Sequence, residues 1–543
     1  MRKVNSRKLS GETLDLLNKL DAVPSSRWAF WSRADDLFAM LAAIANRGEM
    51  LAVPSLLPII CNRNKKISQA AATAIQALLV DVQHLDLVYL DQYMRTLGPW
   101  SSGHRGGPGF GPHDVPRLSL LQHGSELSLG LASFHRDGFV REAATRALAG
   151  VTSGMELPFL LIRANDWIEQ VREVATQALR ERADREYVPH LVRNLPLIAR
   201  LRKAGRRDHA PLVQALEDIV AGEAAFRDLI AAIGGSDRHL RRAGISVAIA
   251  RGKVSVCLNS LASADAMVRL RSAILLFEKL PLIDGCPLAD ELAGDGFSAV
   301  RREALRYAIE RCSHRLHERI TGAMCDRSVS VRHVGIFYAR NKLDLDAAVF
   351  YRAALESGSH QDIAPCIAGL GDTGTIEDVS MLRPLVGHRL PRVQRAALQA
   401  IAALGFDGNE DVFFTALASP QPGVSRKARE LLVKVPLRGE CPAIERAMLD
   451  SAYAHVRNNA LSVLASTGKW SGLRYILLAL QRNDSPLNEI AARSVSRWIH
   501  DHNRSLIQPQ ADDVPRIESL LEVLRNKLPE NQHAALTTIM KSF

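Results

Sequence analysis

The chain writes one phrase again and again. "DWIEQVREVATQALRE", residues 166–181, returns as "DGFVREAATRALAG" from 137, "DGFSAVRREALRYAIE" from 295 and "DRSVSVRHVGIFYA" from 326. Aligned on the Val of the Val-Arg pair, Val140 and Val171 are 31 residues apart, as are Val300 and Val331. Val393, Val424, Val456 and Leu487 follow one another at steps of 31, 32 and 31. Leu240 and Val268 (or Leu270) fill the middle, a worn copy lies near Ile363, and an early copy sits on Ile67. A fixed period of this size means one small supersecondary unit stacked many times, because a single unit cannot cover its own apolar face.

Each unit has a grammar. An apolar helix opens it, such as "MELPFLLIRA" from 155 or "IEDVSMLRPLV" from 376. A turn rich in Asp, Asn, Ser or Gly follows: Asn165-Asp166, Gly294-Asp295, Cys325-Asp326, Asn483-Asp484. Their side chains are expected to accept hydrogen bonds from the free N–H groups that open the second helix. The second helix carries the aligned residue and, four positions on, an Ala, as in Ile67/Ala71, Val140/Ala144, Val171/Ala175, Val300/Ala304, Val393/Ala397, Val424/Ala428, Val456/Ala460 and Leu487/Ala491. That spacing puts both on one face, where the branched residue fills the core and the Ala admits the neighbouring helix.

An arginine recurs just after the aligned position: Arg141, Arg172, Arg241, Arg301, Arg332 and Arg457. It is either a ladder facing a ligand or a structural one in which a turn Asp holds each guanidinium. Asp and Arg recur together in most copies, which favours the structural ladder.

Composition agrees with packed helices. Of 543 residues, 47% are apolar and only 5% aromatic, so burial is ample while sheet formers are scarce. The 14 lysines against 55 arginines hint at a GC-rich, bacterial coding sequence. The net charge of +11 permits an acidic partner without demanding one. The seven cysteines are scattered and never form a CxxC pair, which argues against a disulfide framework or a zinc ribbon and for reduced core thiols. No apolar h-region follows the basic amino terminus and no apolar run spans a bilayer, so a cytoplasmic chain without a membrane span is expected.

The pattern Asp-x-x-x-x-Val-Arg-x-x-Ala-x-x-Ala-Leu resembles HEAT repeats, and more narrowly the short bacterial HEAT-like repeats of phycobilisome lyases. "GLGDTGTIEDVSMLRPLVGHRLPRVQRAALQAIAALG", residues 369–405, matches best. The resemblance covers about residues 120–500. It implies an all-α fold, a right-handed α-α superhelix of the HEAT-like, armadillo type, with roughly twelve to fifteen units. It implies no particular activity, since adaptors, lyase subunits, DNA glycosylases and transport factors all use such repeats.

The expected organisation is an amino-terminal helical region (1–96) with the first repeat or repeats, a Gly/Pro-rich loop (97–116), the repeat array (117–500) and a helical cap (501–543). The amino-terminal stretch with Trp28, Phe30 and Trp31 is a second candidate end cap. The loop holds six glycines and four prolines and is not expected to be helical. It is either a disordered insertion or a flap carrying Trp100, Arg105 and Phe110. From Arg193 to Arg207 there are six basic residues and no acid: Arg193, Arg200, Arg202, Lys203, Arg206 and Arg207. Arg200, Lys203 and Arg207 would share one side of a helix at i, i+3, i+7. This segment is either a solvated face or the contact surface for an acidic macromolecule.

Catalytic grammar is missing: no P-loop, HExxH or GxSxG is present, and no cofactor or metal is expected. His104, His113, Asp114 and His123 fit no ligand spacing, and His314/His317 read as surface or capping histidines. Trp167 and Trp498 read as repeat packing, with base stacking as the alternative. The function expected is a non-catalytic scaffold or adaptor that binds another macromolecule, foremost a protein, on its concave surface. The alternatives are a nucleic-acid binder with base-processing activity and, after it, a lyase-like subunit.

Overall fold

The computed structural model describes residues 8–21, 34–62, 64–80, 82–96, 110–358, 362–435, 437, 440–482 and 484–543. Among these, every regular element is helical and none is a strand, so the all-α expectation holds. The chain divides into two compact units, Met1–Pro281 and Leu282–Phe543. Among the described residues no helix is long and apolar enough to cross a membrane.

Within each unit, antiparallel hairpins stack, the second helix of one repeat packing on that of the next, as Gly138–Ala149 does on Glu169–Glu181 and Pro391–Leu404 on Pro422–Leu432. The aligned positions are the reason. Ile67, Val140, Val171, Val300, Val456 and Leu487 are fully buried, and every paired Ala from Ala71 to Ala491 is equally so. Each buried branched side chain contributes roughly 1.5–3 kcal/mol, and the array repeats that gain in every unit. The small position is a contact, not a default. Gly335, four after Val331, lies where an added Cβ would come 2.5 Å from the backbone nitrogen of Met324. In the worn copy the aligned residue is Ile367, wholly buried, rather than half-buried Ile363; Gly371 follows it, with the Ala400 backbone 2.6 Å from an added Cβ.

The turn acids divide into two kinds. Asp137, Asp237, Asp265 and Asp484 cap their second helices directly. Asp166, Asp295 and Asp326 do not: the N-caps there are Ile168, Phe297 and Ser328, and each Asp accepts from the N-cap amide two residues on. These three close a local Asx turn, which aims the chain into the helix.

Other expectations need correction. The end of the Gly/Pro segment is helical, with a 3-10 turn over Pro112–Asp114 and a short helix over Val115–Leu118, because both prolines occupy first-turn positions that tolerate them. "IEDVSMLRPLV" is broken into a 3-10 turn, one turn of α-helix and a second 3-10 stretch that begins at Arg383-Pro384. The thiols are not all reduced. Cys286 and Cys312 form a disulfide with Cα atoms 6.0 Å apart, and Cys61, Cys257, Cys325, Cys366 and Cys441 stand outside any disulfide. The spacing looked random in the chain, but it joins the first helix of one hairpin (Leu282–Leu292) to the end of the second (Ser298–Arg311). Near the carboxyl end, Ile517, Leu521, Leu524, Leu528, Leu536 and Met540 from the last two helices join the buried core of the second unit. Trp28, Phe30, Trp31, Trp100 and Arg105 lie outside the described residues.

Candidate macromolecular interface

The ladder after the aligned position is structural. The Arg141 guanidinium donates backwards from Nη1 to the carbonyls of His135 (3.1 Å) and Arg136 (2.8 Å), in its own turn. It donates forwards from Nε and Nη2 to both oxygens of Asp166, 25 residues on in the next turn, at 3.0 Å each. Arg301 repeats this on the Asp295 and Gly296 carbonyls and on Asp326, at 2.7–3.2 Å. Arg457 bonds the Ser451 carbonyl and Asp484, and Arg332 bonds the Asp326 carbonyl and Asp372. Arg172 and Arg241 hold the carbonyls of their own turns. Where the arginine is lost the reach persists: Gln394 donates to the His388 carbonyl and Asn488 to the Arg482 carbonyl, both six residues back. Ser68 and Ser425 reach eight residues back, to Ile60 and Leu417. One side chain thus satisfies the orphan carbonyls of a turn and fastens the following repeat.

The tightest knot of this kind is buried in the first unit. Asp166 accepts from Arg141, from Arg163 (2.6 Å) and from Arg95 (2.9 Å), and Asp91 accepts from Arg163 and Arg95. The side chains of Arg163 and Asp166 are both 0% exposed. Burial pushes the Asp166 carboxyl up. Hydrogen bonds from Arg141, the charge of Arg163 and the Ile168 amide outweigh it and hold the group far below the usual carboxylate range. Burial drives Arg163 down to about 10 against the pull of Asp91 and Asp166. A second buried pair, Arg182–Glu156 at 2.7 Å, secures the neighbouring hairpin. These charges face one another and offer nothing to a ligand.

The basic segment 193–207 behaves differently. Its helix, Leu195–Leu201, ends before Lys203, so Arg200, Lys203 and Arg207 do not share a helical face. The next helix starts at Ala210, and residues 202–209 form an irregular turn through Gly205, with Asp208 bonding the Ala210 amide. Arg202 pairs with Glu217. Arg206 donates from Nη1 to the Asn165 carbonyl at 2.6 Å and lies over the Trp167 ring, 3.9 Å from its centroid. Arg193, Arg200, Lys203 and Arg207 are exposed. Beside them His209 is 4% exposed, with Nε2 unpartnered among the described residues. Burial, then the charge of Arg207, pull its ring below the ordinary histidine value and keep it neutral.

Trp167 was expected to pack within the repeat, yet it is 71% exposed. Trp498 does pack, donating from Nε1 to the Lys469 carbonyl at 2.9 Å and meeting Trp470 edge-on. Phe110 packs too, its ring 5.7 Å from that of His135. His314 lies before its helix, which starts at Leu316, and it meets Asp290 and Arg319 rather than His317. Among the described residues no group of three or more His, Cys, Asp or Glu side chains is placed to hold a metal ion.

The fold therefore defines an α-helical repeat protein of stacked hairpins. No family model matches the chain, and no curated protein matches it. Several solved structures do. The karyopherin Kap121p bound to the SUMO protease Ulp1p is 13% identical, over 97% of this chain and 56% of that one, with a TM-score of 0.27. Kap95p in its complex with RanGDP is 11% identical, over 97% and 81% respectively, with a TM-score of 0.34. Kap95 in its Nup1 complex is 11% identical, over 95% and 67%, at 0.29. The chain spans about half the length of the Kap121p structures it matches, 56% for the crystal structure of Kap121p alone. At these identities and scores nothing about the activity of those proteins carries over.

Proposed function

We propose that the protein is a HEAT-type scaffold of the cytoplasm that holds a protein partner on the solvent-facing side of its second helices. The observation that carries this is the periodic exposure of those helices. In the second unit, exposed side chains of varied chemistry stand two and six residues after three of the buried aligned positions: His333 and Phe337, Arg395 and Gln399, Arg426 and Glu430; Glu173 and Gln177 do the same in the first unit. Phe337 keeps 60% of its surface in water. A row of this kind presents one or two contacts per repeat along a rigid backing, which suits an extended or broad partner surface. Arg395 reaches along the row towards the next repeat, where a Cβ on Gly423 would lie 2.7 Å from its guanidinium.

The test is affinity capture with the full chain as bait, compared with a Phe337→Ala/Arg395→Glu variant. A partner retained at stoichiometric amounts by the wild type and lost by the variant supports the reading. Capture of chaperones alone, or a partner held equally by both chains, refutes it.

A further inference from the structure

We propose that Trp167 and the turn 200–207 form a binding site for a single-stranded nucleic acid, with a base stacked on the indole and neighbouring phosphates on Arg200, Lys203 and Arg207. This stands apart from the protein-scaffold reading, which places its partner elsewhere on the repeats.

Three observations converge. First, the fold does not ask for an aromatic at this position. The equivalent residues in other repeats, four before the aligned one, include Arg136, Ser236, Gly296, Arg327, Pro420 and Ala452, and none is aromatic. Leaving a Trp at 71% exposure gives up the burial that such a ring ordinarily provides. Second, the ring is held ready. Arg206 stacks on it at 3.9 Å while bonded to the Asn165 carbonyl, and Arg172 binds the Trp167 carbonyl at 2.9 Å. A platform fixed before binding loses little freedom when a ligand stacks on it. With Arg206 in place most of the indole surface remains open. Third, Arg200 at the end of its helix and Lys203 and Arg207 in the turn that follows are exposed and have no acid partner among the described residues, the turn's own Asp208 bonding the Ala210 amide instead. Like charges gathered without compensation repel, and a polyanion relieves that cost.

The chemistry selects among polyanions. A duplex buries its base faces in its own stack and cannot use the indole. An acidic peptide uses the cations but leaves the ring idle. A single strand uses both, through phosphates on the cations and an unpaired base on the ring, without need of a particular sequence.

The test is fluorescence anisotropy of the full chain with a labelled 12-nucleotide oligothymidylate over a salt series. The expected result is binding with a log–log salt slope of about −2, from roughly three phosphates on a single strand. Trp167→Ala should weaken it by about 5- to 150-fold, the range for losing one stacked base. Trp167→Phe should retain most of the affinity, and Arg200→Glu/Lys203→Glu/Arg207→Glu should abolish both the binding and its salt slope. Circular dichroism melts of these surface variants should match the wild type. No binding at low salt, unchanged affinity in Trp167→Ala, or equal binding of a 12-base-pair duplex would each overturn the proposal. Competition by polyglutamate at equal charge would also overturn it, reassigning the turn to acidic polypeptides.

Discussion

Replacing Asp166 with Ala should destabilise the first unit more than any single change at its surface. The carboxylate is wholly buried and accepts from Arg141 at 3.0 Å, Arg163 at 2.6 Å, Arg95 at 2.9 Å and the Ile168 amide at 3.0 Å. Without it, Asp91 alone faces Arg95 and Arg163, while Arg141 keeps only the carbonyls of its own turn. Leaving a buried charge without its partner costs about 3–5 kcal/mol. In a unit of this size each kcal/mol moves the melting temperature by about 2–4 °C, so the fall should be roughly 6–20 °C. Scanning calorimetry of the full chain is the assay, because its two units can melt separately and only the first should shift. The double variant Asp166→Ala/Arg163→Met should recover at least half of the loss, since it removes the stranded guanidinium and restores apolar volume. A single-variant shift below about 2 °C, or a double variant less stable than the single, would refute the account of this knot as mutually compensating charge.

Further outcomes follow from the same structure. Asp166 has its acid constant held below the ordinary 3.8, so its contribution is complete above about pH 4 and is lost as pH falls below that. The urea midpoint of the first unit should therefore drop as pH falls below about 4, and Asp166→Asn should flatten that slope. Gly335→Ala and Gly371→Ala should each cost about 1–3 kcal/mol in chemical denaturation, because the new Cβ meets a neighbouring backbone at 2.5 and 2.6 Å. Gly322→Ala, in a helix with nothing within 4 Å, should instead stabilise by about 0.5–1 kcal/mol. Thiol titration of the denatured, unreduced chain should find five cysteine thiols, with two more after reduction. Cys286→Ser should lower stability of the second unit by about 3 kcal/mol, as expected for opening a loop of 26 residues.

Much of the architecture was legible because period and burial are the same fact seen twice. Val140, Val300 and Val456 recur because each must enter a closed core, and Ala144, Ala304 and Ala460 because a helix must come close behind. The Arg ladder was legible as structure because its Asp partner recurs with it. What stayed hidden depends on where chain segments meet. The bond between Cys286 and Cys312 follows from two helices folding back on each other, and spacing alone does not announce it. Arg200, Lys203 and Arg207 fit a helical face on paper, but the helix ends at Leu201 and the chain turns through Gly205 before Pro211 opens the next. The exposure of Trp167 was invisible for the opposite reason: a Trp in a helical repeat is usually buried, and only the arrangement of Arg206 above it shows the exception. One signal was available: no other repeat places an aromatic residue at that position.

The fastenings between consecutive repeats come in two chemistries. In the second unit Arg301–Asp326, Arg332–Asp372 and Arg457–Asp484 join repeats through a guanidinium and a carboxylate, whereas Asn459 donates to the Ser425 hydroxyl of the preceding repeat with no charge on either side. Removing the acid from a joint of the first kind strands a guanidinium against its neighbour, whereas a joint of the second kind holds no charge to strand, so one and the same truncation would spring some seams and merely loosen others.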